Sequence, residues 1–361
     1  MPDCIVVGGG VIGLLTARQL FNRGADVLLL ERGSLGGESS WAGGGIISPL
    51  YPWRYHEVVN ILAERSKRIY PELAKTLLDE TGEDCELITS GLFTVSDRDK
   101  TIFDWANRWS IDMTYIDDAK TITEIEPSVS TGLGSGLWLP DIMQIRNPKL
   151  VRALKASFDR LSIAYHENSP VDEIIIKDDK VIGVKTGSDV LTADKVIIAS
   201  GAWSAQFNIT RSSVDVMPVK GQMIMYRGEP DELRRIILSE GHYVIPRKDG
   251  RILAGSTLEK IGFDKTISSS AYDELHHAAI SLVPKLADMP IERQWAGLRP
   301  GTEKGIPYVC RHDEIEGLYI HAGHYRNGIV LGAASAELMA DIVMESEPWC
   351  DIDPYRIDAD H

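Results

Sequence analysis

Cysteine is scarce and scattered in this chain. Its four cysteines, Cys4, Cys85, Cys310 and Cys350, form no C-x-x-C pair and stand in no histidine-rich ligand spacing. That excludes the common zinc patterns, so no metal is expected, and it fits a reducing compartment rather than a disulfide framework. Basic blocks are missing as well. The formal net charge is −15, which argues against a nucleic-acid surface and reads as plain solubility. No apolar run approaches the roughly 18 residues that span a bilayer. No basic segment precedes the first apolar stretch, so a cytoplasmic protein without signal peptide or membrane contact is expected. Repeats, low-complexity tracts and flexible linkers are also absent, which implies interwoven domains. What remains is 361 residues, 43% hydrophobic and 25% charged, enough for a large core and two domains.

The most informative stretch runs from residue 4 to 31, CIVVGGGVIGLLTARQLFNRGADVLLLE. Cys4 to Val7 reads as a buried parallel strand, and Leu14 to Arg23 continues with helical character. Asp26 to Leu30 is a second buried strand that ends on Glu31. Between the first strand and the helix lie Gly8, Gly10 and Gly13 in G-x-G-x-x-G spacing. The first glycine permits a tight turn, the second lets a pyrophosphate approach the backbone, and the third lets helix and strand pack closely. Val11 and Ile12 carry the first helical amides, whose N–H groups favour phosphate charge. Glu31 follows Gly13 by 18 residues, where a carboxylate can accept both hydroxyls of an adenosine ribose. Glycine spacing alone is weak; the ordered strand, glycines, helix, strand and acid are not.

Periodicity predicts further helices near 57–80, 99–110, 147–161, 271–283 and 329–344. Strands are expected at 87–95, 171–176, 181–186, 195–199, 217–226, 242–247, 251–255, 293–300 and 317–322. The early chain is therefore α/β, and 217–300 is dominated by longer alternating strands, as in a mostly antiparallel second sheet. The expected fold is α/β plus α+β. A Rossmann-like nucleotide domain would comprise 1–84, 145–216 and 292–361, and a substrate domain 85–144 and 217–291.

Three more segments favour FAD over a nicotinamide dinucleotide. Ser39 and Ser40 can donate to phosphate or ribityl oxygens, and Ala42, Gly43, Gly44 and Gly45 strip side chains from a stretch passing something flat and wide. Gly201-Ala-Trp203-Ser follows the buried KVIIAS strand, where a second backbone segment would border a flavin. Gly323-His324-Tyr-Arg326-Asn327-Gly328-Ile329 opens the last long helix, whose positive end would stabilise charge on a reduced ring. Read one by one, these segments are also a glycine loop, a strand-to-helix turn and an ordinary helix cap.

The motifs VVGGGVIG, SSWAGGGIISPLYPW, GAWS, YVIPRKDGR, WAGLRPGTEKGIPYV and GHYRNGI together resemble those of ThiO-type glycine oxidases, in the D-amino-acid oxidase and sarcosine oxidase superfamily. The resemblance covers nearly the full length, and WAGLRPGT with GHYRNGI is its more specific part. It implies a discontinuous FAD-binding domain, with Arg32 and Val171 among the cofactor contacts, and an antiparallel sheet over the flavin. It also implies oxidation of glycine, sarcosine and small D-amino acids to imines by hydride transfer to flavin N5, with O2 reduced to H2O2. In thiamin-producing bacteria the glycine imine feeds thiazole synthesis. Relatives form homotetramers, so a homo-oligomer is expected.

By the same resemblance, Arg299 is the carboxylate clamp, a planar two-bond fork that lysine cannot match, and it also borders the cofactor. Tyr243 supplies a hydroxyl to the same carboxylate, and Arg326 either orients substrate or tethers the last helix. Leu258 stands where the family often has methionine beside the substrate, and His242 and His324 flank the pocket as scaffold. The superfamily's flavin-linking cysteine has no counterpart in AGLRPG, so FAD is expected to bind non-covalently. Competing readings are a quinone-coupled D-amino-acid dehydrogenase, an inactive flavin scaffold and a nicotinamide dehydrogenase. Retention of Arg299 with Tyr243 argues against the scaffold, and the single cradle against the last. The preferred amine is not legible, because glycine and D-alanine or D-proline differ by cavity shape.

Overall fold

The computed structural model describes residues 1–207 and 214–361; residues 208–213, within the expected 145–216 segment, lie outside them. Two large sheets organise the chain. The first has six strands, in spatial order Tyr308–Arg311, Leu318–Ala322, Lys195–Ile198, Cys4–Val7, Val27–Leu30 and Ala164–His166. All its pairings are parallel except that of Tyr308–Arg311 with Leu318–Ala322. Its central strands, CIVV and VLLL, are buried throughout, because both faces are covered. Helices Val11–Asn22, Glu57–Thr81, Asn147–Leu161 and Gly328–Val343 pack on one face. The three-stranded meander Glu173–Lys177, Lys180–Thr186 and Asp189–Thr192 covers the other, with Ile174, Val181 and Val184 against Ile5, Val196 and Ile198.

The second sheet has eight strands and is antiparallel except where Ile236–Ser239 runs parallel to Leu92–Val95. Its site-facing part is formed by Met217–Arg227, His242–Pro246, Arg251–Gly255 and Ile291–Gly301. Residues opposite one another share a face, so the register sets Trp295, Met223, Gly255 and Tyr243 in one row across four strands. Gly297 and Gly221 form the start of the next row. The expected boundary at 292 needs correction on sheet membership. Ile291–Gly301 pairs with Met217–Arg227 along nearly its whole length, so the return to the parallel sheet begins only beyond Gly301. No helix among the described residues is long and apolar enough to cross a membrane.

Candidate active site

At the carboxyl ends of the parallel strands lies a cavity of about 440 Å³, outside the switch between Val27–Leu30 and Lys195–Ile198 where such sheets bind ligands. Its lining brings together Gly8, Gly10, Val11, Ile12, Glu31, Arg32, Ser39, Ser40 and Gly43 from the first third of the chain. Val171, Gly201, Trp203, Arg299, His324, Arg326, Gly328 and Ile329 complete the expected set there. A second cavity of about 100 Å³ adjoins it through Ser39, Gly43, Arg299, Arg326 and Ile329, and adds Ala42, Gly44, Gly45, Tyr243 and Asn327. Gly13 lines neither cavity. It acts one layer below, where a Cβ would sit 1.9 Å from the Gly8 carbonyl oxygen, so only glycine lets the helix approach the turn.

The cradle's polar groups are fixed in advance. Glu31 accepts hydrogen bonds from the Gly9 amide at 2.6 Å and the Gly33 amide at 2.8 Å, one on each oxygen. Each oxygen retains a lone pair for a ribose hydroxyl. Ser40 Oγ accepts from the Val11 amide at 2.8 Å, which leaves its own proton to donate into the cavity. The Arg32 guanidinium lies 3.6 Å from the Trp203 ring centroid. At the far end, Asn327 places no side-chain cap on the Gly328–Val343 helix, and its buried Nδ2 has no hydrogen-bond partner among the described residues. An uncapped helix start and an orphaned donor facing a cavity await an electron-rich ligand. We expect Glu31→Ala to lower flavin affinity by about a hundredfold, since at least two hydrogen bonds to a charged acceptor go. The flavin-to-protein ratio after purification and FAD titration of the stripped protein measure this; full flavin loading with unchanged affinity would remove Glu31 from the site.

Arg299 lines both cavities. Its guanidinium donates to Ser256 Oγ at 2.7 Å, the Thr257 carbonyl at 3.1 Å and the Lys220 carbonyl at 3.3 Å. No carboxylate pairs with it among the described residues. Burial lowers its pKa from the usual arginine range, opposed by nearby Tyr243 and reinforced by Arg326. A partly desolvated cation held only by neutral acceptors is costly unless an anion joins it. Tyr243 sits beside it, its hydroxyl donating only to the Met223 sulfur, at 3.8 Å, among the described residues. Arg326 lines both cavities and makes no hydrogen bond or ion pair among the described residues, so no polar contact tethers the last helix through it.

Two expected pocket residues are not brought to the cavities. His242 precedes Tyr243 on the same strand, so alternation turns it to the opposite face, where Nε2 lies 3.1 Å from Glu274 Oε1. Leu258 is 49% exposed, because Thr257 is anchored to Gln222 and Glu259 and the chain then turns outward. His324 is buried, 3.0 Å from Ser335 Oγ, and burial pulls its pKa down to about 3. It stays neutral, as expected of scaffold.

Several residues at the site carry no sequence signal of their own. Ser256 and Gly221 line the smaller cavity, and only strand register reveals it; Met223, which reads from sequence as core rather than site, lines it too. Arg247, within YVIPRKDGR, donates to the Gly44 carbonyl at 2.7 Å and to Gln144 Oε1 at 2.6 Å. Burial lowers its pKa to about 10, and it braces the glycine loop from behind. Trp295 Nε1 holds the same loop through the Ala42 carbonyl at 2.9 Å.

A parallel-sheet dinucleotide cavity joined to an anion-seeking pocket under an antiparallel sheet defines a flavin amine oxidoreductase. A family model described as FAD dependent oxidoreductase matches residues 3–342, and the chain belongs to that family. Among its relatives, the glycine oxidase of Pseudomonas aeruginosa is 44% identical over 354 residues, 97% of each chain. The crystal structure of glycine oxidase from Geobacillus kaustophilus superposes with a TM-score of 0.93 at 29% identity, covering 100% of this chain and 99% of that one. A bifunctional ThiO/ThiG protein from Trichormus variabilis is 30% identical across 96% of this chain, which spans 53% of that longer protein. The cofactor is FAD.

Proposed function

We propose that this chain oxidises glycine, and with it sarcosine and small D-amino acids, to the imine, with hydrogen peroxide formed from O2. The observation that carries the reading is Arg299, a half-buried guanidinium without a carboxylate partner among the described residues, in a small cavity adjoining the dinucleotide cradle. Bound FAD supplies the two-electron chemistry, accepting hydride from the substrate carbon and passing the electrons to O2. The chain's own residues supply position. Arg299 and the Tyr243 hydroxyl hold the substrate carboxylate, and Arg326 adds positive charge at the junction of the two cavities. Gly44 keeps the approach open, since a Cβ there would lie 2.7 Å from Ile245 Cδ1 and 3.2 Å from the Tyr243 ring. Fixing the reacting carbon in this way can contribute about 7–11 kcal/mol at best. A volume of about 100 Å³ suits glycine and tolerates a methyl group more than a large side chain.

The smaller cavity presents Tyr243, Arg299 and Arg326 as its titratable side chains, with no carboxylate or histidine among the described residues. The substrate amine therefore enters neutral, without a protein base to take its proton. His324, neutral above a pKa of about 3, contributes no limb to the profile. We expect kcat/KM to rise with pH along a single-proton slope that ends at the amine's own pKa. The limb should move when glycine is replaced by an amine of different basicity; a limb fixed across substrates would reveal an enzyme base instead.

Peroxide release with glycine, sarcosine, D-alanine and D-proline tests the function itself, and flavin-loaded protein inert to all four overturns it. FAD should enter the supernatant on acid denaturation, because Cys310, the cysteine nearest the AGLRPG strand in sequence, is buried in Tyr308–Arg311; a yellow pellet contradicts this. Supply of the imine for thiazole assembly is supported by the fused ThiO/ThiG relative. Action in the cytoplasm and a homotetrameric state belong to the same reading, the latter checked by light scattering of the eluted holoenzyme.

A further inference from the structure

We infer that Ser256 is a third ligand of the substrate carboxylate, its hydroxyl proton donated to the oxygen that Arg299 and Tyr243 also address. This rests on the amino-acid oxidase reading above and adds a residue to its site. Ser256 immediately follows Gly255, the residue paired with both Met223 and Tyr243, and it lines the smaller cavity. Its side chain is buried, at 7% exposure for the residue. Its Oγ accepts from Arg299 Nη2 at 2.7 Å, and that is the one hydrogen bond the side chain makes among the described residues. A hydroxyl has one proton and two lone pairs. With one lone pair on the guanidinium, the proton remains unspent, and a buried donor seeks an acceptor. The polarising cation on Ser256 Oγ also makes that O–H a better donor. A carboxylate entering against Arg299 meets this proton alongside the guanidinium N–H groups and the Tyr243 hydroxyl.

Acetate titrated into the holoenzyme and followed by the flavin absorption band reads this contact without any turnover. Ser256→Ala should raise the acetate Kd by about tenfold or more, as expected for one lost hydrogen bond to a charged group. Flavin content should not change. Ser256→Thr, which keeps the hydroxyl, should stay within roughly threefold of wild type. Bracing of Arg299 alone is separated by repeating the substitution in an Arg299→Ala background. A direct donor still weakens acetate binding there. Unchanged affinity in Ser256→Ala, or no further loss in the Arg299→Ala background, overturns the assignment. Acetate binding without oxidation of any amine would instead bring down the functional reading, while the titration still decides the role of Ser256.

Discussion

Arg299→Ala should raise the glycine concentration for half-maximal turnover by about a thousandfold, roughly 4 kcal/mol, with flavin content near that of wild type. The magnitude follows from the geometry. A fork of two charge-assisted hydrogen bonds to a carboxylate is lost, each contributing about 1.5–3 kcal/mol. The guanidinium is half-buried, so the attraction is screened less than at an open surface. Arg299 also lines the dinucleotide cavity, but its bonds go to the Lys220 and Thr257 carbonyls and Ser256 Oγ and none to the Gly8–Gly13 turn or Glu31, so the cradle should keep its shape. Arg299→Lys should recover only part of the loss, since an ammonium cannot present a planar fork. Stopped-flow reduction of the flavin by glycine separates binding from the chemical step, and the defect should fall on the binding term. Parallel loss of flavin and of affinity would show that Arg299 supports the fold instead, and a KM within a few-fold of wild type would remove it from the clamp.

The start of the dinucleotide cradle was legible because its turn, helix and acid lie within 28 consecutive residues, residues 4–31. Strand, glycines, helix, strand and acid are local features, and each leaves a local pattern. Arg299, Tyr243 and Arg326 were legible only through resemblance, since an arginine in a strand has no intrinsic signature of a ligand. His242 and Leu258 show where adjacency in sequence misleads. One is turned away by strand alternation, and the other lies in a chain reversal after Thr257 is anchored. Ser256 and Gly221 were invisible for a third reason. Their place depends on the pairing of Met217–Arg227 with strands more than twenty residues downstream, a register that no local pattern encodes. The short strands Ala164–His166 and Thr114–Ile116 escaped for want of length, because three residues are too few to establish a period of two.

Gly221 yields the second large effect, and it tests the same site from the opposite side. It lies in the middle of Met217–Arg227, opposite Gly297, so two glycines face one another where the Arg299 side chain crosses. A Cβ on Gly221 would fall 2.1 Å from Arg299 Nη2, 2.2 Å from Nη1 and 2.3 Å from Cζ. Atoms cannot share that space, and something has to move. The backbone of a central strand is held on both edges, whereas the obstructing group is the end of a long side chain. In Gly221→Ala the guanidinium therefore swings out, and the sheet stays. The expected variant folds, carries FAD at wild-type content, and raises the glycine KM by about a hundredfold or more, on the same grounds as loss of the fork. Coupling supplies the sharper measurement, because residues acting through one group are not additive. Once Arg299 is alanine, Gly221→Ala should cost almost nothing further. Additive losses in the double variant would mean that Gly221 acts on something other than the guanidinium, and a near-normal KM in Gly221→Ala would place the guanidinium elsewhere in the working enzyme.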